Sequence, residues 1–452
     1  MIRMTKRMPL SAATAVLGLI VLAVPGQTQE RVTVEQQIGP NPVLPPQQLG
    51  LFPTMNISEV IGWKEGETPT VPDGFEIKAM ATGLANPREL YVLPNGDVLV
   101  VEAKAPPGKP IRHPKDLVRK IVEGIAGGGG GGSEETNRIT LLRDTNGDGM
   151  PDERTVFLDK LNSPFGVALV GNDLYVAHAD AIMRYPYNEG DTRITAPGEL
   201  LAHLPGGPIN HHWTKSLVAS PDGTRLYVGV GSNSNAAERG MEAEKNRAAI
   251  HEVDRASGRQ RLFASGLRNP NGLTFEPSTG VLWTVVNERD ELGPNLVPDY
   301  LTSVKEGGFY GWPYSYYGQH VDPRVKPERP DLVEQAIVPD YALGSHVAAL
   351  GLAFYTSDRF GPRYQGGAFV GLRGSWNRDE FSGYKVIYIP FQNGRPNGPA
   401  QDFVTGFLNG QGQARGRPVG VAVDATGALL IADDAGKTVW RVRAKDAVNI
   451  AR

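Results

Sequence analysis

A strand–turn–strand unit recurs along the chain and restricts the folds that are open to it. In each copy, a short apolar strand is followed by a turn and then by a β-branched or aromatic strand. Most copies begin with an Asn-Pro or Ser-Pro-like step, and they are spaced by roughly 50 to 80 residues. The copies lie at residues 86–102, 163–180, 210–233, 269–288, 349–372 and 417–434.

The six copies are rich in strand and almost free of amphipathic helix, which predicts an all-β fold. We expect a six-bladed β-propeller, because radial repetition lets each four-stranded blade bury its faces against its neighbours. The propeller is assigned to residues 76–446. Within it, residues 105–136 form a charged, glycine-rich insertion that cannot pack a core and is expected to be flexible. Residues 30–75 are rich in proline and predict an extended arm on the body.

Residues 1–29 have the features of a signal peptide, with basic residues followed by an apolar stretch too short to span a bilayer comfortably. We therefore expect export to the periplasm and no membrane-spanning segment after signal removal; an uncleaved anchor is the alternative. The net charge of -3 argues against nucleic acid or an anionic membrane as the main partner. With no cysteine in the chain, disulfides, thiolate metal sites and covalently attached c-type haem are excluded.

The loops that lead into the inner strands of a propeller converge on one face, so the residues at these positions are expected to be neighbours. Four arginines among them favour an anionic ligand, since Arg binds carboxylates in a bidentate manner. An acidic run at residues 287–291 lies beside them. The converging residues are Arg88, Asn162, His211, His212, Arg268, Asn269, His346, Arg415 and Arg417.

Five motifs occur in this order along the chain: LRNPNGLTFEP (267–277), EGGFYGWPY (306–314), GSWNR (374–378), GYKV (383–386) and RGRPVGVAV (415–423). In combination they resemble the glucose/sorbosone dehydrogenase family, and the similarity extends from about residue 75 to residue 445. The chain is most similar to the sorbosone dehydrogenase branch, because of NHHWTK, GSNSN, NERDELG and GSWNR. The resemblance implies a soluble six-bladed quinoprotein that uses pyrroloquinoline quinone (PQQ) and calcium.

The resemblance also implies roles for individual residues. His212 would be the general base that takes the proton from the substrate hydroxyl as hydride moves to PQQ, and Arg268 would stabilise the charge that develops on the cofactor. His211 and Asn162 are expected near the substrate. PQQ carries three carboxylates, and the residues implied to hold it are Arg88, Asn269, His346, Arg373, Arg415 and Arg417.

Calcium is implied at the acidic run and just after it, where it would bind oxygen ligands and act as a Lewis acid. Two positions depart from the family pattern. Arg373 stands where the sorbosone branch often has His and the glucose branch Lys, and Ser232 stands where the glucose branch has an acid that orients the base. Asn233 and Asp299 are the alternatives for orienting His212, and Asp299 is also the next candidate for the base. The calcium ligands implied by the resemblance are Glu288, Asp290, Gly293 and Pro294.

A second oxygen-rich loop spans residues 144–152 and resembles the first part of an EF-hand-type calcium loop. Thr155 stands where such a loop has its bidentate glutamate. A structural calcium site and a plain turn between two strands are both compatible with this pattern. The candidate ligands are Asp144, Asn146, Asp148 and Asp152.

These observations predict a periplasmic PQQ- and calcium-dependent dehydrogenase that oxidises a sugar or a sugar-derived aldehyde or alcohol. Its electrons would leave through a separate cytochrome c or quinone, because the chain has no haem motif. One alternative is a calcium-dependent lactonase-type hydrolase, which would need a carboxylate cage for its metal rather than four arginines. The other is a non-catalytic, ligand-binding propeller, which the fold alone does not exclude.

Overall fold

The computed structural model describes residues 32–50, 54–106, 136–207 and 209–445. The predicted signal segment and nearly all of the predicted insertion lie outside these residues. Within them, six antiparallel sheets form six blades in chain order, which confirms the predicted six-bladed β-propeller.

The segment ahead of the first blade contributes strands to two later blades. It contains the 3₁₀ turn Glu35–Gln37 (η1), Ile38–Gly39 (β1) and Phe75–Ala81 (β2). Blade 1 consists of Pro87–Val92 (β3), Val98–Glu102 (β4), Arg138–Arg143 (β5) and Glu153–Leu158 (β6). Blade 2 consists of Val167–Val170 (β7), Asp173–Ala177 (β8), Ala181–Pro186 (β9) and Glu199–His203 (β10).

Blades 3 and 4 carry the longest loops of the described chain. Blade 3 consists of Leu217–Ala219 (β11), Arg225–Val230 (β12), the 3₁₀ turn Met241–Glu244 (η2), Ala249–Asp254 (β13) and Gln260–Ser265 (β14). Blade 4 begins with Pro270–Phe275 (β15), Leu282–Val286 (β16) and Pro298–Ser303 (β17). An excursion follows, with Ser315–Tyr316 (β18), His320–Val321 (β19) and Pro330–Gln335 (α1), before Tyr341–Ser345 (β20) completes the blade. Strand β1 adds to the outer edge of β20.

The last two blades complete the ring. Blade 5 consists of Ala349–Phe354 (β21), Ala368–Leu372 (β22), Lys385–Ile389 (β23) and Gln401–Val404 (β26), with a small hairpin of Phe391–Gln392 (β24) and Arg395–Pro396 (β25). Blade 6 consists of Pro418–Val423 (β27), Leu429–Asp433 (β28), Thr438–Ala444 (β29) and the early strand β2. Strand β2 pairs antiparallel with β29, with Phe75 opposite Ala444, so an N-terminal strand closes the ring.

Each repeated unit of the sequence forms the two innermost strands of one blade. Residues 86–102, for example, contain β3 and β4, and residues 417–434 contain β27 and β28. Successive residues of a strand point to opposite faces of its sheet, so each blade presents one set of side chains to each neighbour. In β28, Leu429 and Ile431 pack against blade 5, whereas Leu430 and Ala432 pack against blade 1.

The hydrophobic core is divided in the same way. Among the described residues it forms six buried clusters, and each one lies between two adjacent blades. The core therefore forms a ring around the axis, and every blade depends on both of its neighbours.

None of the described helices has the length and apolar character needed to cross a membrane.

The closing strand is anchored by an aromatic contact at Phe75. Its ring lies 4.8 Å from the ring of Phe360 and 5.1 Å from that of Phe403, both of them edge to face. Phe75→Ala is expected to lower the free energy of unfolding by about 3–5 kcal/mol, because it leaves a cavity at the ring closure. Chemical denaturation measures this loss. Leu262→Ala, at a position 45% exposed, is the control and should change stability by less than about 0.5 kcal/mol; equal losses for the two variants would contradict the role assigned to Phe75.

Candidate functional site

The residues predicted to converge lie at one end of the propeller, on loops except for Arg88, which is the second residue of β3. Hydrogen bonds connect neighbouring blades at this end. Asn235 of blade 3 accepts a hydrogen bond from Arg268 ahead of blade 4, and Asn377 of blade 5 donates one to Asp290 of blade 4. Arg88 of blade 1 pairs with Asp434 of blade 6. Asn162 of blade 2 bonds to Asp180 within its own blade.

A group of three arginines surrounds Asp434, with Arg88 and Arg417 buried and Arg373 partly exposed. Its Oδ2 atom lies 2.6 Å from Nη1 of Arg88 and 2.7 Å from Nε of Arg373. Burial opposes ionisation, but the guanidinium groups of Arg373, Arg88 and Arg417 hold the pKa of Asp434 below its ordinary value. Burial itself lowers the pKa of Arg88 to about 10. The predicted arginines of blades 1, 5 and 6 are thus brought together around a carboxylate that the sequence analysis had not selected.

This arginine cluster carries more positive than negative charge. Three guanidinium groups face Asp434 and its neighbour Asp433, and Asp433 is already committed to other donors. Glu89 also lies near Arg88, but burial raises the pKa of Glu89 to about 7, so the surplus of positive charge is largest below pH 7. Two buried atoms, Nε of Arg88 and Oδ1 of Asp434, have no hydrogen-bond partner among the described residues. Surplus buried charge and unsatisfied buried atoms are costly unless a ligand compensates them. Nε of Arg88 therefore suits an acceptor such as a ligand carboxylate, whereas Oδ1 of Asp434 requires a donor.

The arm ahead of the first blade holds one side of this cluster. Nε1 of Trp63 donates to Oδ2 of Asp433 at 2.7 Å, and Oδ1 of Asp433 accepts the backbone N–H of Arg417 at 2.7 Å. Burial raises the pKa of Asp433 to about 6. The guanidinium of Arg417 also donates to the backbone carbonyl of Ser58 at 3.5 Å. A segment distant in sequence therefore fixes both the backbone and the side chain of Arg417.

Arg415 points to a different partner from Arg417. Its Nε lies 3.3 Å from a carboxylate oxygen of Glu67 on the arm, and both side chains are partly exposed. The structure thus places Arg417 with the arginine cluster and Arg415 at the edge, where it ties the arm to blade 6.

His212 is held in one tautomer. Its Nδ1 lies 2.9 Å from the backbone carbonyl of Ser232 and 3.0 Å from the hydroxyl oxygen of Ser232, whose own proton goes to the carbonyl of Ser234. Both atoms facing Nδ1 act as acceptors, so Nδ1 carries the proton and Nε2 is the basic nitrogen. The backbone carbonyl of Ser232 therefore orients the His212 ring, the role for which Asn233 and Asp299 were the predicted alternatives.

The close approach of three segments at His212 requires a glycine. A Cβ atom at Gly231 would lie 2.4 Å from Oδ1 of Asn269 and 2.5 Å from Cβ of His212. Oδ1 of Asn269 is itself buried with no hydrogen-bond partner among the described residues. His211 stands beside His212, with the two rings 4.5 Å apart and edge to face. The predicted base and the predicted cofactor contact at Asn269 are therefore neighbours.

Arg268 is buried and strongly held. Its guanidinium donates to the carbonyl of Glu288 at 2.5 Å and to Oδ1 of Asn235 at 3.0 Å, and it pairs with Asp290 at 3.1 Å. It is only 3% exposed. A guanidinium held at a fixed position can stabilise a charge that develops beside it without reorganising first.

The loop predicted to bind calcium is organised by His346 and Asp290. Nε2 of His346 lies 3.1 Å from the carbonyl oxygen of Gly293, and its Nδ1 lies 3.5 Å from Oδ1 of Asp290. Burial lowers the pKa of His346. In the part of the chain that the structure describes, no three His, Asp or Glu side chains are arranged to hold a metal ion. A calcium ion here would therefore depend on backbone carbonyls and on ligand atoms, which calcium accepts.

Asp299 connects the loop after β16 to the loop after β20 by accepting a hydrogen bond from each. Its Oδ1 accepts the N–H of Glu288 at 2.8 Å and its Oδ2 accepts the N–H of Ala348 at 2.7 Å. It is 2% exposed, and burial raises its pKa to about 7. These contacts favour a structural role for Asp299 and leave His212 as the stronger candidate for the base.

The loop at residues 144–152 forms a compact turn. Asp144 accepts the N–H groups of Gly147 and Gly149 at 2.7 and 2.6 Å, and Asp152 accepts from Thr145. Asn146 and Asp148 likewise bond to backbone N–H groups two residues ahead. These bonds account for the turn without an ion, and structural calcium at this loop stays a prediction.

Two family models match parts of the chain that include most of the site residues, whereas Arg88 and Asn162 precede both matched regions. The family described as Glucose / Sorbosone dehydrogenase matches residues 171–375, and the family described as TrAA12-like matches residues 331–445. The first segment includes His212 and Arg268, and the second includes Arg417.

Three curated relatives are similar in sequence. An uncharacterized protein of Borreliella burgdorferi is 27% identical over 62% of this chain and 76% of its own length. The aldose sugar dehydrogenase YliI of Escherichia coli is 29% identical over 26% of this chain, and a pyrroloquinoline quinone-dependent sugar dehydrogenase of Hypocrea jecorina is 22% identical over 55%. The chain spans only 30% and 57% of these two dehydrogenases.

Solved structures share the fold. The PQQ domain of a pyranose dehydrogenase from Coprinopsis cinerea, in its holo form, superposes with a TM-score of 0.66 at 20% identity, over 86% of this chain and all of that domain. The calcium structure of a Trichoderma reesei enzyme of carbohydrate-active family AA12 superposes with a TM-score of 0.67 at 18% identity, over 87% of this chain and 99% of that one. At these identities the superpositions establish the propeller fold.

The charge of the arginine cluster can be tested through Asp434→Asn. This change removes a buried counterion, so we expect a loss of about 3–5 kcal/mol in the free energy of unfolding. A polyvalent anion such as citrate should raise the melting temperature of the variant more than that of the parent, because it replaces the missing negative charge. Glu199→Gln, at an exposed ion pair with Arg184, is the matched control and should cost less than about 1 kcal/mol. Citrate shifts that are identical in all three proteins would argue against a surplus of positive charge.

Proposed function

We propose that the protein is a PQQ- and calcium-dependent dehydrogenase of sugars or sugar-derived aldehydes or alcohols. The match of residues 171–375 to the glucose/sorbosone dehydrogenase family supports this proposal, and it confirms the resemblance carried by the sequence motifs. The observation that carries the proposal is the arginine cluster at Asp434, in which the guanidinium of Arg88 lies 5.8 Å from the ring of Trp213, the residue after His212. Export to the periplasm and an external acceptor, a cytochrome c or a quinone, belong to the same proposal.

The residues present suit PQQ. A ligand with three carboxylates would offset the surplus charge of Arg88, Arg373 and Arg417 and would give Nε of Arg88 an acceptor. Asn269, with its buried Oδ1 lacking a partner among the described residues, and His346 would contact the remainder of the cofactor. Calcium would be held through carbonyls near Gly293 and Pro294, with Glu288 and Asp290 nearby.

The protein's own part in the reaction is proton removal and charge stabilisation. Nε2 of His212 would accept the proton of the substrate hydroxyl, and the carbonyl of Ser232 would stabilise the imidazolium that results. Arg268, fixed by Asn235, Glu288 and Asp290, would place a positive charge where negative charge develops. When bound, PQQ supplies the two-electron acceptor that the polypeptide lacks. His211 and Asn162 are proposed to contact the substrate.

A lactonase-type hydrolase is a weaker alternative. Such an enzyme needs a carboxylate cage around its metal, and the described residues offer no convergent group of three acidic or histidine side chains. A non-catalytic propeller would bind the cofactor or another anion without turnover. Oxidation of sugar with reduction of an added dye separates these cases.

Cofactor binding should raise thermal stability. A ligand that binds only the folded state stabilises it, so PQQ with calcium is expected to increase the melting temperature, and PQQ without calcium to increase it less. Arg417→Ala should weaken PQQ affinity in an absorbance titration while turnover largely recovers in excess cofactor. If PQQ and calcium together leave the spectrum and the melting temperature of the parent unchanged, the quinoprotein proposal is wrong.

The base is tested by the adjacent histidines. His212→Gln is expected to lower turnover by about 10²–10⁴-fold, the usual contribution of general-base catalysis, while PQQ affinity stays close to that of the parent. His211→Gln, at the neighbouring ring, is the comparison and should mainly affect the KM for sugar. A loss of turnover in His211→Gln with full activity in His212→Gln would show that the two roles are exchanged.

A further inference from the structure

A buried carboxylate lies behind the loop that orients His212. Glu244, the last residue of the 3₁₀ turn η2, is 4% exposed. Its Oε2 accepts the backbone N–H of Asn233 at 2.6 Å, and its Oε1 accepts the hydroxyl of Ser234. Burial raises the pKa of Glu244, and the two donors together with the guanidinium of Arg247 oppose that rise. The carboxylate therefore anchors the two residues that directly follow the orienting serine.

The anchored loop decides where the hydroxyl of Ser232 points. This hydroxyl donates to the carbonyl of Ser234 at 2.7 Å, while its oxygen lies 3.0 Å from Nδ1 of His212. A hydroxyl has a single proton, so Ser232 presents a lone pair to Nδ1 as long as it donates to Ser234. If the carbonyl of Ser234 moved away, the hydroxyl could donate to Nδ1 instead. His212 would then carry its proton on Nε2 and could not accept another one there.

Arg247 supports the same arrangement from a second direction. Its Nη1 donates to Oδ1 of Asn210 at 3.1 Å and to the backbone carbonyl of Gly231 at 3.3 Å. Asn210 lies two residues ahead of His212, so one guanidinium joins the segment of the histidine to the segment that orients it. The backbone N–H of Arg247 donates to the carbonyl of Glu244 at 2.9 Å. Both supporting side chains therefore come from one short piece of chain.

We propose that Glu244 is a positioning residue for the base: through Ser234 and Ser232 it keeps the proton of His212 on Nδ1 and leaves Nε2 as the basic nitrogen. This inference rests on the proposed dehydrogenase function and adds a residue that acts through other side chains. Because Glu244 works on the direction of a hydroxyl, it should affect the proton-transfer step and leave cofactor affinity unchanged.

The tautomer of His212 can be measured by NMR on the protein with PQQ and calcium added. The chain has eight histidines, so ¹⁵N-histidine labelling gives few signals, and the spectrum of His212→Gln assigns the one of interest. At about pH 8, where histidines are mostly neutral, the parent should show a protonated Nδ1 and an unprotonated Nε2. Glu244→Gln leaves one acceptor where the carboxylate offers two, so the form protonated on Nε2 should become populated. An unchanged tautomer in this variant overturns the proposal.

The matched control is Glu242→Gln, which alters an exposed carboxylate in the same turn and should leave the His212 signals unchanged. If this control redistributes the tautomers as strongly as Glu244→Gln does, the effect belongs to the charge of the turn and the proposed chain of hydrogen bonds is refuted.

Turnover of the holoenzyme gives a second test. Glu244→Gln is expected to lower kcat by roughly tenfold, the equivalent of about 1.4 kcal/mol and of one hydrogen bond, with PQQ affinity and the KM for sugar close to those of the parent. Ser232→Ala removes the hydroxyl through which Glu244 is proposed to act. In that background Glu244→Gln should therefore cause no further loss of kcat. An equal loss in both backgrounds would show that Glu244 acts by another route, and the proposal would fail.

The outcomes separate the positioning role from the dehydrogenase activity. If the parent oxidises no sugar, the proposed function fails, and the NMR measurement alone decides on Glu244: redistribution of the tautomers supports its role, and an unchanged tautomer refutes it. If Glu244→Gln does not fold, Ser234→Ala takes its place, because it removes the bond to the carboxylate and keeps the carbonyl of residue 234. Retention of the parental tautomer in Ser234→Ala would likewise overturn the proposal.

Discussion

The pairing of β2 with β29 is the constraint on which the rest of the molecule depends. It joins residues at opposite ends of the described chain and supplies the outer strand of blade 6. Since each hydrophobic cluster lies between two blades, opening this joint exposes faces of both blade 5 and blade 1. The loops at one end of the propeller converge only because the ring is closed, so the site inherits its geometry from that pairing.

The closed ring allows positive charge to be buried around Asp434. Arg88, Arg373 and Arg417 come from three blades, and an isolated buried cation is expensive. Asp434 offsets part of that cost, and Asp433 fixes the backbone that carries Arg417. The remaining imbalance is what a polyanionic cofactor would relieve.

The propeller could be predicted from sequence because each pair of inner strands is a local pattern, with apolar strand residues on either side of a turn. The same pattern predicted that the residues preceding these strands, such as Arg268 and Arg417, lie at the converging end of the propeller. Asp434 and Trp63 did not, since their partners lie 346 and 370 residues away and no local periodicity links them. The orientation of His212 was also beyond sequence, because the acceptor is the backbone carbonyl of Ser232, which any residue type could supply.

The pairing of β2 with β29 also affects how the protein folds while it is being synthesised. The ion pair between Glu76 and Arg443 on these strands spans 367 residues, so the last interface forms only after almost all of the described chain has been synthesised. Until then blade 6 lacks its outer strands and its hydrophobic faces stay open to solvent, a state prone to aggregation and to chaperone capture. Loss of the residues from Thr438 onward would return the molecule to that state, because it would remove the strand that lies between β28 and β2. The arginine cluster would then disperse together with the ring.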